Sequence, residues 1–446
     1  MQREGAVRIG AGQGAFGESP ELMLSSLRAG VDYLVCDSLA ETTSAFFALD
    51  RKADEGAGYA PDLTARVGLA LPWIAEGTTR LITNAGGHNP LAAHQAVIQA
   101  IRDAGQRGIQ VAVVFAEPPQ DARATYGPAG DAFAEQVYLG AAGIAQALAR
   151  GAQIVLTGRV ADAALFLAPA IHEWNWGWQD WDRLAGGTVV GHLLECSAQA
   201  SGGNYSGDWW NTVDLGRTGL PIAEVDGDGS AVITKPPGSG GRVSFDTVRE
   251  QLLYEVHDPG AYLTPDVVVD LTTTELTDLG DDRVRVSGTR GHPRPETLRG
   301  LSFCSGGWAG EALFTYCWPD AAEKGRHVAN SLQSLAVSRG LDIEEWLVEQ
   351  FGADGFWSGM PDECEAPARE PRDVTTRLAW RTRDQRTATD VQRLVALVAL
   401  SGPPGLQGVG RRRRGPNPPA ELVDIAQFLV DRAAVERDTQ VLVSST

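Results

Sequence analysis

The chain has 446 residues, of which 43% are apolar and 21% charged, and its formal net charge is −19. That length exceeds what one hydrophobic core usually serves, so two domains, or one large core with an appended module, are expected, and the mixture excludes disordered and fibrous classes. The negative balance opposes nucleic-acid binding, because the phosphate backbone would be repelled.

No run approaches the ~18 consecutive apolar residues of a membrane span, and the opening MQREGAVRIG lacks the apolar core of a signal peptide. A cytoplasmic protein with no membrane partner is expected. Five widely spread cysteines without a CxxC pair read as reduced thiols.

Over the first two hundred residues, short apolar runs alternate with helical patterns, as βαβ units in a parallel sheet do. Strands are predicted near 7–9, 32–36, 80–83, 109–115 and 153–157, each followed by a helix. Ser19-Pro20-Glu21 and Asn89-Pro90 read as helix starts, a capping residue before a proline. The fold class expected is α/β, with residues 1–200 forming a parallel sheet with helices on both faces. From 201 to 446, Gly-rich turns and the alternating segments SAVITK (230–235), RVRVSG (283–288) and VTTRLAWRT (374–382) predict an α+β second domain. Residues 358–373 and 401–420, rich in Pro and Gly, read as exposed loops, the second carrying the basic block Arg411 to Arg414.

In an open parallel sheet, ligands gather outside the carboxyl ends of the strands, where helix N-termini present unpaired N–H groups. The first such loop holds Gly12, Gly14 and Gly17 in dinucleotide-fingerprint spacing, with Asp37 about twenty residues on. The glycines begin late relative to the strand, however. Cys36-Asp37-Ser38 with Glu41 forms the second loop. In the third, TNAGGHNP, Gly86 and Gly87 allow close backbone approach and Asn89 caps the helix behind; a plain tight turn is the alternative. In TGRVAD, Arg159 follows a buried-looking strand and suits a bidentate grip on a carboxylate or phosphate, with an ion pair to Asp162 as the alternative and a helix beginning near Val160.

GHLLEC (191–196) places His192, Glu195 and Cys196 on one helical face. Without a second spaced ligand pair no metal is expected, which leaves packing or a His/Glu proton-transfer pair. KPPGSGGRVS (235–244) reads either as a plain turn or as an anion nest of backbone amides, Gly240 and Gly241 among them, with Lys235 and Arg242 adding charge. Tryptophans crowd residues 174–181 and recur at 209–210, for a core, a subunit interface or an apolar wall. A homo-oligomer is expected.

The strings VDYLVCDSLAETT, LITNAGGHNPLAA, IVLTGRVADAALFLAPAIHEW, GGTVVGHLLECSAQASGG and PIAEVDGDGSAVITKPPGSGGRVSFDTVREQLLYEVHDPGAYLTPDVVVD resemble the acyclic terpene utilisation AtuA family. The likeness is good over residues 5 to 320 and thinner beyond, where the arginine block replaces much of a glycine run. The resemblance implies catabolism of citronellol and geraniol through CoA thioesters, hence an acyl-CoA or carboxylate substrate; it brings no catalytic residue with it. A CoA diphosphate would suit the Lys235 turn.

The expected function is therefore a hydratase/dehydratase-type lyase on a small carboxylate or acyl-CoA, with no cofactor. Arg159, Asn84, Asn89, Gly86 and Gly87, with Gly12 and Gly14, would form the anion grip, while Asp37, Glu41, His192 and Glu195 would supply acid and base. Two alternatives stand beside it: a non-catalytic acyl-CoA-binding or partner-stabilising subunit, and an NAD(P)-dependent oxidoreductase.

Overall fold

The computed structural model describes residues 5–118, 123–126, 131–353, 355, 371–409 and 418–446. The molecule is a mixed α/β protein with two compact units, Met1–Phe303 with Ile425–Thr446, and Cys304–Asp424.

The larger unit is built on five strands, Val7–Gln13, Tyr33–Cys36, Arg80–Thr83, Ile154–Thr157 and Gln110–Phe115, lying parallel in that spatial order. They are short and mostly buried, with apolar runs such as YLVC and VAVVF, as strands covered on both faces are. Neighbouring residues point to opposite faces, so Val111, Val113 and Ile154 join one hydrophobic cluster while Ala112, Val114 and Val155 join another. Each fully buried Val, Leu or Ile here contributes about 1.5–3 kcal/mol against its exposed state.

The exposed edges of this sheet are closed by antiparallel strands from distant parts of the chain. Ile222–Val225 pairs with the first strand and is followed outward by Ala231–Thr234, Arg283–Ser287 and Glu275–Gly280, while Gln440–Ser445 pairs with Gln110–Phe115. A domain boundary near residue 200 is thus not where the chain divides. The edge strand Val7–Gln13 leaves one row of N–H and C=O groups to be paired, and the returning chain after residue 220 supplies the partner.

Local expectations hold unevenly. Asn89 does cap the helix Pro90–Asp103, its Oδ1 accepting from the Ala92 N–H at 3.4 Å. Ser19 caps nothing; its hydroxyl turns to Glu21, and the segment opens as a 3-10 turn, Pro20–Leu22, before the helix Met23–Arg28. The helix after Arg159 starts at Asp162 rather than Val160.

That helix, Asp162–Trp174, packs on Trp181–Glu195, which is buried from Leu184 to Glu195. The two backbones approach so closely that a Cβ on Gly191 would stand 2.5 Å from the Ala163 carbonyl oxygen. Glycine at this crossing brings Asp162 and His192 to one place.

The smaller unit is α+β by itself. Residues Trp308–Cys317 of the long strand Thr297–Cys317 pair antiparallel with Asp373–Thr382, which pairs with Glu345–Phe351. The helices Ala321–Ser338 and Gln385–Ser401 bury Val328, Leu332, Val391 and Val395 against Phe314, Tyr316 and Trp380. Arg411 to Arg414 and most of 358–373 lie outside the described residues. No described helix is long and apolar enough to cross a membrane.

Candidate functional site

Parallel strands bring the loops after residues 13, 36, 83 and 157 to one edge, and side chains fasten them together there. Asn84 donates from Nδ2 to the Asp37 carboxylate at 2.6 Å and accepts the Ser38 N–H at 2.7 Å; Ser38 donates to Gln13 Oε1 at 2.9 Å. Arg159 reaches across to the Leu39 carbonyl at 2.6 Å and to Asp162 at 3.4 Å. Its guanidinium also lies over the Tyr138 ring, 4.2 Å from the centroid, in cation–π geometry. Arg159 is 4% exposed, and its Nε makes no hydrogen bond among the described residues.

A cavity of about 590 Å³ opens beside this guanidinium, lined among others by Glu41, Tyr138, Asp162, His192, Glu195 and Tyr262. Asp162, Glu41 and the His192–Glu195 pair therefore share one chamber with Arg159. The Tyr138 hydroxyl donates to Glu41 at 2.7 Å, and Arg299 adds a second bond at 3.2 Å. His192 Nδ1 meets Glu195 Oε1 at 3.1 Å, and the ring stands 5.4 Å from that of Tyr262. Its Nε2 makes no well-formed hydrogen bond, although the Leu252 and Gln251 carbonyls lie close enough to favour its protonated form.

The electrostatics follow from burial set against neighbours. Burial lifts Asp37 to about 6, against the opposing pull of Arg159, the Asn84 amide and the Leu39 N–H. Asp162 rises well above its ordinary value through desolvation at the chamber wall, although its side chain keeps 31% of its surface exposed; Arg159 restrains the rise and Asp37, Glu195 and Glu41 add to it. Burial pushes Glu41 up as well, but Tyr138, Arg159 and Arg299 hold it below its usual value. For His192, burial opposes the imidazolium, yet the Glu195 hydrogen bond and charge outweigh it and the pKa rises. The chamber thus holds two carboxyl groups displaced in opposite directions beside a fixed cation, an arrangement suited to moving protons.

Other predicted residues are placed differently. The amides of the TNAGGHNP loop are already spent: Gly86 N–H on Thr157, Gly87 on Asn84, His88 on Gly58 and Asn89 on Gly86. Gly87 is needed for its left-handed φ of 53°, and a Cβ on Gly86 would stand 2.5 Å from the Thr157 oxygen. This loop is a tight turn; beyond capping, the Asn89 amide donates to Glu55 and Ala57. In the first loop, Gly12 lies inside the strand, where a Cβ would meet Cys36 Sγ at 2.8 Å, and Gly14 abuts the Ser197 backbone. The Gly14 and Ala15 amides bind a carboxylate, but it is the chain's own Glu18, at 2.9 and 3.3 Å. Neither glycine opens a helix, so the dinucleotide fingerprint lacks its structural context.

Lys235 pairs with Asp282 at 3.0 Å and caps the Ser239 carbonyl, while the Gly240 and Gly241 amides bond Arg217 and Val213. The Lys235 ammonium and the Gly240 and Gly241 amides are thus already bound within the chain, while the Arg242 Nε has no partner among the described residues. Cys196 stands just past the helix carrying His192 and Glu195, and among the described residues no three His, Cys, Asp or Glu side chains converge as a ligand set for a metal.

Sequence reasoning missed Tyr138, Arg299 and Tyr262, and took Asp162 only as an ion-pair partner. Tyr262 sat within GAYLTPDVVVD, a string long enough to mark it; Tyr138 and Arg299 carry no local pattern.

Comparison with known proteins places residues 7–441 in the family described as acyclic terpene utilisation family protein AtuA, well past residue 320. No curated protein and no solved structure matches the chain.

Proposed function

Since the chain belongs to the acyclic terpene utilisation AtuA family, we propose that it is an enzyme of that catabolism whose active site is the chamber beside Arg159, acting on a small carboxylate or acyl thioester as a hydro-lyase. One observation carries this reading: Arg159, the raised carboxyl of Asp162 and the His192–Glu195 pair line a single cavity.

Dehydration requires three things at once. A cation must steady the negative charge that grows on the carbonyl or carboxylate oxygen as the α-proton leaves, and the buried guanidinium of Arg159 meets that need. A base must take this proton; Asp162 is the candidate, because a carboxylate of raised pKa is a stronger base than an ordinary one. An acid must protonate the departing hydroxyl, and His192, held by Glu195, is that acid. The Cα–H and Cβ–O bonds break, the double bond forms, and the two transferred protons end on Asp162 and in the released water. Hydration is the same path reversed.

The test is direct. Purified protein is mixed with an α,β-unsaturated acyl thioester, and loss of the conjugated absorbance is followed for the wild type and for His192→Asn. Turnover that the substitution lowers by about 100-fold or more is expected from loss of a general acid. Tight binding of the thioester with no turnover in either direction would point instead to a non-catalytic acyl-CoA-binding subunit.

A further inference from the structure

Arg159 also lines a second, smaller chamber of about 120 Å³, between the TNAGGHNP turn and the strand Ala132–Val137. Three polar side chains around it carry buried atoms without hydrogen-bond partners among the described residues. Gln136 is 6% exposed, and among the described residues neither its Nε2 nor its Oε1 makes a hydrogen bond. His88 is 5% exposed, with its Nε2 likewise unbonded and its ring edge-on to Phe303 at 4.9 Å. Arg159 contributes the third, its unbonded Nε. Buried polar groups are almost always satisfied in folded proteins, so four unsatisfied atoms around one small space indicate an occupant.

Volume and chemistry restrict what that occupant is. At about 30 Å³ per water, the chamber holds roughly four waters or a ligand group of similar size. The Gln136 amide presents a donor and an acceptor side by side. His88 is a neutral imidazole, because burial and the neighbouring Arg51 push its pKa down to about 3. The charge of Arg159 already faces Asp162. A carboxylate would set its lone pairs against Gln136 Oε1, whereas a group that donates and accepts at once answers both atoms of the amide.

We propose that this chamber is a binding subsite for an uncharged hydrogen-bonding group, a carboxamide or hydroxyl at the end of a small ligand, adjoining the larger cavity at Arg159. The subsite concerns binding alone and stands whether or not the larger cavity carries out lyase chemistry.

Acetamide and acetate serve as probes. Each is titrated into the full-length protein while the side-chain amide resonance of Gln136 is followed by NMR, and both are soaked into crystals. Acetamide is expected to shift that resonance saturably and to occupy the chamber, and Gln136→Leu should weaken its binding about tenfold or more while raising the melting temperature, since an orphaned amide is replaced by an apolar group of similar shape. Acetate binding in preference to acetamide would overturn the proposal, as would saturable acetamide binding that Gln136→Leu leaves unchanged. Ordered water alone in the chamber under both soaks would overturn it equally. Should Gln136→Leu fail to fold, the wild-type titration decides alone.

Discussion

Arg159 shows how one side chain serves two ends. Its Nη1 holds the Leu39 carbonyl and Asp162, its plane lies on Tyr138, and its Nε remains open. Lysine would keep the charge and lose the planar fork. Arg159→Lys is expected to cost about 1–3 kcal/mol of stability through the lost charged hydrogen bonds and to weaken thioester binding as well; a lower melting temperature with unchanged affinity would end the substrate-grip role. His192 gives a second expectation. Its folded pKa is raised, so its contribution to stability is complete below the unfolded value of about 6.5 and is lost as pH rises through the folded pKa. Denaturant midpoints of the wild type and His192→Asn should therefore converge with rising pH above neutrality; a constant gap would contradict the shift.

At the scale of elements, the chamber depends on the close crossing of the helices Asp162–Trp174 and Trp181–Glu195. Gly191→Ala would drive a methyl against the Ala163 backbone, where no flexible side chain can give way. A loss of about 1–3 kcal/mol is expected from overpacking, together with loss of thioester binding as Asp162 and His192 are forced apart. Gly68 is the control. It lies on an exposed face of the helix Leu63–Ala75, and a Cβ there meets nothing within 4 Å. Gly68→Ala should stabilise by about 0.5–1 kcal/mol through helix propensity. Chemical denaturation of both variants checks the pair; equal effects would mean that the crossing is not tight.

Across the larger unit, buried carboxyl groups set the response to pH. Asp266, 3% exposed, is lifted to about 6 by burial, although the Ala141 N–H, Arg432 and Arg294 pull it down. A carboxyl raised in the folded state binds its proton more tightly there than in the unfolded chain, so its contribution favours folding at low pH and is lost as pH rises from about 4 through 6. With a shift from 3.8 to about 6, Asp266→Asn should flatten the fall in stability between pH 4 and 7 by on the order of 2–3 kcal/mol. Urea titrations at the two pH values measure it, and an unchanged slope would refute it.

What was legible in the sequence was whatever depends on neighbours along the chain. Strand positions, the Asn89 cap and the meeting of loops at one sheet edge follow from period, capping chemistry and the parallel βαβ pattern, and the family strings marked the membership. His192 and Glu195 were visible as a pair because a helix turn places residues three apart side by side. Tertiary structure alone decided which glycines face a ligand and which face the chain itself: the Gly86, Gly87, Gly240 and Gly241 amides are consumed by backbone carbonyls distant in sequence or across a turn, and the Gly14 amide by Glu18. It also decided that strands beyond residue 220 complete the first sheet, because an open edge bonds whichever segment returns to it. Asp162, Tyr138 and Arg299 reach one chamber for the same reason: burial and long-range pairing are properties of the packed molecule, and no window along the chain contains them.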